Sequence, residues 1–253
     1  MESVTSQPTA SERRPHRLQG AMFTSIGEQG RAELVEKRLA DAITGGHLRA
    51  GERLPSEADL ARTMGVAPVT VREALLGLRA RGLVVTRRGR HGGSFVSESA
   101  DPFAFAREAL RASSGLALRD LALHYAAITV AAVRLAARRS APSEIDTIRA
   151  KMGRLDTEDA GLWRQTMDDL QLELVALSQS ARLTRDQMRL QAELSPLLRL
   201  LDGDTRARQR TLLDATLDAV ADGDDVEAAR LTELAVTEAT RALLTLRAQN
   251  DET

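Results

Sequence analysis

The chain has 253 residues, a formal net charge of −1 and no cysteine. That length suits two modest domains, each with its own core, and the missing cysteines exclude disulfides and thiolate metal sites. The charge is uneven: residues 1–97 carry 15 Lys+Arg against 10 Asp+Glu, the remainder 20 against 26, as expected for a nucleic-acid module joined to a part that is not one.

Residues 1–27 are polar, with Pro8, Pro15 and many Ser and Thr, and read as a mobile tail. Arg13, Arg14 and Arg17 could brush DNA; an inert leader is the competing reading. Glu12 and these arginines leave no room for an apolar signal-peptide core, so a cytoplasmic chain is expected.

A helix is predicted over 30–44, where Val35, Leu39, Ala42 and Ile43 recur at helical spacing before Gly45-Gly46. Residues 48–53 read as a turn. Ser56 is a suitable N-cap for a helix that Gly65 stops, with Glu57 and Asp59 in its dipole-favoured first turn. A second helix starts near Ala67-Pro68 and runs to about Arg81, before Gly82. Residues 83–86 read as a strand, 87–93 as a glycine-rich tip and 94–96 as the return strand. Helix, tight turn, second helix and basic ribbon form the pattern of a winged helix-turn-helix, here assigned to residues 28–97.

Within that pattern Val71, Ala74, Leu75 and Leu78 share the inner face of the second helix. Val69, Thr70, Arg72 and Glu73 lie on its outer, N-terminal side, where a recognition helix meets major-groove edges. An arginine at 72 paired only with Glu73 or Asp59 is the alternative. Five arginines and no acid lie between Arg79 and Arg90. Beside a recognition helix, a wing built from Arg87, Arg88, Gly89, Arg90 and His91 is suited to phosphates or the minor groove.

After a linker at 97–101, residues 102–249 read as helical throughout. Helices are predicted over 102–111, 116–139, 142–152, 158–180, 183–201, from Gly203 to Asp222, and 225–247. The stretch 121–137 is apolar but short, and holds His124 and Arg134, so it reads as a buried helix and not a membrane span. The fold class is therefore mainly α: a winged helix-turn-helix followed by an all-α bundle.

Leu54-Pro55-Ser56-Glu57, Leu60-Ala61, Gly65-Val66, Thr70-Val71-Arg72-Glu73-Ala74-Leu75, Leu78, Gly82-Leu83-Val84 and Gly92-Gly93-Ser94-Phe95-Val96 together resemble the GntR family of bacterial transcription regulators. The helical part is similar to its FadR-type branch, whose FCD domain is an effector-binding bundle. The traces are Arg134-Leu135-Ala136-Ala137, Val175-Ala176-Leu177-Ser178, Leu217-Asp218-Ala219-Val220 and Glu227-Ala228-Ala229-Arg230. The resemblance implies a homodimer on a palindromic operator of double-stranded DNA, with release or retention set by a small molecule; the leading reading is a repressor. It places DNA contacts on Ser56, Thr70 and Arg72, and wing contacts near Arg88, Gly89 and Arg90. Arginines that the family often carries are replaced here by Ala58 and Pro68.

Many FCD domains hold a divalent metal with one Asp and three His. Those positions fall here on Met167, Gln171, Leu213 and Ala235 or Val236, none of which supplies the missing ligands. No metal or other cofactor is expected. A mainly apolar effector pocket is expected instead, with Tyr125, Thr129, Met167, Gln171, Leu213 and Val236 as its candidate lining. The family's carboxylate-binding arginine falls near Tyr125. His124 and Trp163 are expected in the core. No catalytic constellation is present: no cysteine nucleophile, no phosphate loop after a strand, and Asp168-Asp169 diverge by about 100° on a helix. The alternative function is a regulator whose bundle serves only dimerisation and answers to no effector.

Overall fold

The computed structural model describes residues 30–251 apart from 47, 90 and 91. Three helices and a two-stranded antiparallel ribbon form the N-terminal part: α1 (Arg31–Thr44), α2 (Glu57–Met64), α3 (Pro68–Ala80), β1 (Val84–Arg87) and β2 (Gly93–Val96). Val84 pairs with Val96 and Arg87 with Gly93. The turn expected at 48–53 does more than turn. Arg53 bridges to Phe95, and Leu54 N–H donates to the Ser94 carbonyl at 2.9 Å, so this segment lies along the free edge of β2.

Local chemistry explains the helix ends. The Ser56 hydroxyl accepts from Asp59 N–H at 3.2 Å as the N-cap of α2, an interaction worth about 1 kcal/mol. Gly65 closes α2 at φ 67°, a left-handed conformation that costs a side-chain-bearing residue more than glycine. The apolar stripes of α1 and α3 then meet in a buried cluster that includes Val35, Leu39, Val71, Leu75, Leu78, Leu83 and Val96.

The second part is all-α: α4 (Pro102–Ala112), α5 (Gly115–Arg139), α6 (Pro142–Arg149), α7 (Ala160–Ala176), α8 (Ala181–Leu198), α9 (Gly203–Ala221) and α10 (Asp225–Asp251). A short 3₁₀ helix, Met152–Leu155, ends the segment expected to continue α6. Asp159 caps α7 through the amides of Gly161 and Leu162 and so fixes its start one turn after the 3₁₀ helix. A turn with Gln179 at φ 54° separates α7 from α8, and Ser180 caps α8. Pro196 lies inside α8. Two apolar clusters fill the bundle, one around Ile145, Met167, Leu170 and Leu217 and one around Leu118, Tyr125, Leu194 and Leu243.

Two expectations about α5 need correction. It is central, packing on α7, α8 and α10, yet only a third of its most apolar window is buried, and Leu116 (76%) and Leu123 (70%) are exposed. Among the described residues it is the one helix long and apolar enough to cross a membrane. Its buried face is occupied by the bundle core, with Tyr125 and Val133 fully packed. His124 is exposed beside Asp120 and Arg189, not in the core. The 3.6-residue period explains this: Tyr125 and Ala122 take the inward positions and turn their neighbour outward.

The two parts touch through α1. Lys37 Nζ lies 3.1 Å from Asp41 and 3.4 Å from Glu193 on α8. Gln165 Nε2 on α7 reaches the Gly46 carbonyl at 3.5 Å. Arg81 stacks over the ring of Phe105 on α4 at 4.3 Å.

Candidate nucleic-acid interface and bundle cavity

The outer surface of α3 presents Val69, Thr70 and Arg72 side by side. Val69 and Arg72 are exposed and Thr70 is half-buried, while Val71, Ala74, Leu75 and Leu78 anchor the helix from behind. Ser56 is exposed at the head of α2. Its hydroxyl also donates to Asp59 Oδ2 at 2.6 Å, and this bond, with one from Arg62, holds the Asp59 carboxyl below the usual carboxylate range. Arg72 pairs with neither Asp59 nor Glu73. Its Nε and Nη2 reach Glu57 Oε2 at 3.1 and 2.9 Å, so the guanidinium is tied to the first turn of α2.

Arg87, Arg88 and Gly89 are exposed at the ribbon tip. Arg87 packs over the Phe95 ring at 4.6 Å and pairs with Glu98 at 2.9 Å. Arg90 and His91, both assigned to the wing, lie outside the described residues. The turn depends on glycine: a Cβ at Gly92 would meet the Arg87 carbonyl at 2.5 Å. Sequence reasoning missed Arg53, whose Nη2 donates to the Gly92 carbonyl at 2.7 Å and so braces the tip from the neighbouring edge. Its signal was the β-bridge hidden within an apparent turn.

In the bundle, five of the six expected lining residues come together. Tyr125, Thr129, Gln171, Leu213 and Val236 border a cavity of about 40 Å³ enclosed by α5, α7, α8, α9 and α10. That is room for a few waters, so a larger occupant must move side chains. Met167 does not border it. Its side chain is fully enclosed in the apolar cluster that also holds Trp163, Leu170 and Ile148, where a flexible thioether fills space.

The polar wall is asymmetric. Thr216, Thr232 and Thr240 donate to the carbonyls four residues earlier on their own helices, at 2.7, 2.8 and 2.7 Å, which leaves their oxygens as acceptors. The Tyr125 hydroxyl donates to Gln171 Oε1 at 3.2 Å, and burial pushes its pKa up to about 12. Thr129 hydrogen-bonds Gln187 at 2.8 Å.

The residue that sequence reasoning missed is Arg164, which borders the cavity at 2% exposure. Its Nη2 lies 2.6 Å from Asp168 Oδ1 and 3.1 Å from Gln171 Oε1. The i, i+4 and i, i+7 spacing of Arg164, Asp168 and Gln171 places all three on one helix face and was visible in the sequence. What was not visible is that this face turns inward.

Comparisons with known proteins agree with this architecture. Residues 31–96 match the model of the gntR family of bacterial regulatory proteins. The HTH-type transcriptional regulator RmpR of Mycobacterium gastri is 37% identical over 181 residues, spanning 71% of this chain and 66% of that protein. An HTH-type transcriptional regulator of Mycobacterium tuberculosis strain H37Rv is 31% identical over 152 residues, spanning 59% of this chain and 62% of its own length. The alignments thus span just under two thirds of these relatives. A solved structure described as a transcriptional regulator GntR, from Rhodococcus sp. RHA1, covers 85% of this chain and 98% of its own at 22% identity, with a TM-score of 0.48. With the winged ribbon and the capped helix pair in place, residues 31–96 are a DNA-binding module of the gntR family of bacterial regulatory proteins, and the chain is similar over 71% of its length to an HTH-type transcriptional regulator.

Proposed function

We propose that this protein is a DNA-binding transcriptional regulator of the FadR-type branch, not an enzyme, acting as a cytoplasmic repressor on a palindromic operator. One observation carries the reading: the outer face of α3, with Val69 and Arg72 exposed and Thr70 half-buried, lies in the same part as the arginine-rich wing while its inner face is fully packed. Phosphate contacts from Arg87 and Arg88 would supply salt-dependent affinity, and Arg72 and Thr70 base-edge discrimination.

A homodimer accords with the bundle surface. Leu116 and Leu123 project from α5. A groove between α5 and α10 is lined by Leu123, Ala126, Val236 and Leu244, with Arg119, Arg241 and Glu233 at its edges. An apolar strip flanked by both charge signs is self-complementary across a two-fold axis. We assign it to a second copy of this chain.

The enclosed cavity is the natural effector site, and its presence favours an effector-responsive regulator over one whose bundle only dimerises. The divalent metal of related bundles does not fit the donors here. Gln171 is the one oxygen donor among the four expected ligand positions, and its Oε1 already accepts from Tyr125 and Arg164. Among the described residues no three His, Asp or Glu side chains converge on a metal-sized site.

The test is footprinting on the DNA upstream of the protein's own gene, with a thermal-shift screen of small metabolites on the same preparation. A protected palindrome and a ligand that both stabilises the protein and alters protection are expected. Absence of any protected site overturns the regulator reading. Protection without any responding ligand leaves the dimerisation-only bundle as the better account.

A further inference from the structure

Three charged groups bridge the cavity and the DNA-binding part. Arg164 borders the cavity and is held by Asp168 at 2.6 Å. Asp168, itself buried, also accepts a hydrogen bond from the Ser195 hydroxyl of α8. One turn further on, as the C-cap of α8, lies Arg199, buried between the two parts of the chain. A Cβ at Gly46, at the end of α1, would lie 3.5 Å from its Nη2. One at Gly161, at the head of α7, would lie 3.5 Å from its Nη1. The ring of Phe103 on α4 sits 5.9 Å from its guanidinium. Burial holds the Arg199 guanidinium below the usual arginine range, Asp168 and Asp159 oppose this, and Arg164 adds to it.

Asp168 is thus paired with one buried arginine and, through Ser195, bonded one turn away from the other. The Nε atoms of both arginines lack hydrogen-bond partners, so each could accept a better one. A buried carboxylate whose partner is withdrawn moves to another cation or is strongly destabilised. Here the other cation is the one wedged against Gly46.

We propose that Arg164, Asp168 and Arg199 form a relay through which occupancy of the cavity reaches the DNA-binding part. An occupant offering an acceptor to Arg164 releases Asp168. Asp168 then turns to Arg199 and draws its guanidinium away from Gly46 and Phe103. The packing that seats the C-terminal end of α1 against the bundle loosens, and with it the orientation of α3. This inference rests on the reading of the protein as an effector-controlled regulator and names the residues that carry the control. They are positioning residues: none is placed at the DNA.

The relay can be tested in the full chain without knowing the effector. Arg164→Met mimics withdrawal of the cavity-side partner. Amide exchange of Gly45 and Gly46, whose N–H groups donate to Asp41 and Ile43 at 2.7 and 3.1 Å, is expected to speed up roughly fivefold or more as this end opens. Operator affinity is expected to change with it. Adding Asp168→Asn to Arg164→Met removes the carboxylate that would pull on Arg199, and should return both readouts towards wild type. Adding Arg199→Met should not. A merely structural role for Arg164 would speed exchange throughout the bundle core, and Asp168→Asn would relieve it everywhere alike, whereas the relay confines both the change and its rescue to the end of α1. Unchanged exchange in a variant that binds operator, or failure of Asp168→Asn to rescue, overturns the relay. Should Arg164→Met fail to fold, Arg164→Gln, which keeps an amide facing Asp168, is read in the same way. Failure of the unsubstituted protein to bind any operator overturns the regulator reading instead.

Discussion

Arg72 of the recognition helix is tethered to Glu57 of the helix before it, with Nη2 2.9 Å from Oε2. Both groups are substantially exposed, so the pair adds little to stability. Its consequence is positional: one rotamer of Arg72 is favoured, and on the proposed DNA-binding face a carboxylate stands beside it. Glu57→Gln should leave the melting temperature within a few degrees of wild type. Affinity for random duplex should rise several-fold while the ratio of operator to random binding falls. Anisotropy titrations on both DNAs check this.

The wing predicts a different pattern. Arg88 is exposed at the ribbon tip, which on the proposed reading contacts phosphates and not base edges. Arg88→Ala should weaken binding to all sequences about equally. It should also reduce the slope of log K against log salt by about 0.9 for each phosphate that is no longer neutralised. A selective loss at one operator position would instead make Arg88 a base reader.

Tyr125 is the single tyrosine of the chain, so its titration can be followed by tyrosinate absorbance without ambiguity. Burial pushes its pKa up to about 12. Because the folded-state value is raised above the ordinary one near 10, the contribution of this group to stability is complete below the unfolded value. It is lost as pH climbs through the folded one. Titration at the ordinary tyrosine value in folded protein would mean that the cavity is open to solvent.

Asp41, where α1 meets the bundle, also has its carboxyl pushed up, first by burial, with Lys37 opposing the shift. A raised carboxyl takes up a proton on folding. The stability it contributes is therefore greatest below the unfolded pKa and declines as pH rises through the folded one. Replacing it by Asn should abolish that dependence: the difference in unfolding free energy, wild type minus Asp41→Asn, should fall as pH rises above the ordinary carboxylate range. Denaturant titrations at several pH values measure it.

The proposed dimer surface gives a further test. Leu123→Glu places a charge on an exposed position of α5, so the fold should survive. Sedimentation should then show monomers, with operator affinity reduced because two half-sites are no longer engaged together. A dimer of unchanged affinity would move the interface elsewhere.

The reader was largely legible in the sequence because its signals are local. Ser56 capping, the stops at Gly65 and Gly82, and the Val71–Leu78 stripe each act within one turn of chain. The cavity was legible in part. Aligning on absent metal ligands located Gln171, Leu213 and Val236, since helix spacing carries position faithfully. It misjudged Met167, because spacing does not say whether a side chain borders a void or fills one. Arg164 was missed for a related reason. A charged residue beside Trp163 and Asp168 looks like a solvated face until the packing of α8 and α9 shows that the face is buried. Arg199 and Arg53 depend on interactions between segments far apart in the chain, which no local pattern records.

The central claim, that the exposed face of α3 reads DNA, is tested most directly by the affinity of Arg72→Ala for operator and for random duplex at one salt concentration. The account predicts that random binding is nearly unchanged while operator binding falls by about 1–3 kcal/mol, roughly five- to 150-fold. Operator binding equal to wild type in a folded Arg72→Ala protein would contradict it.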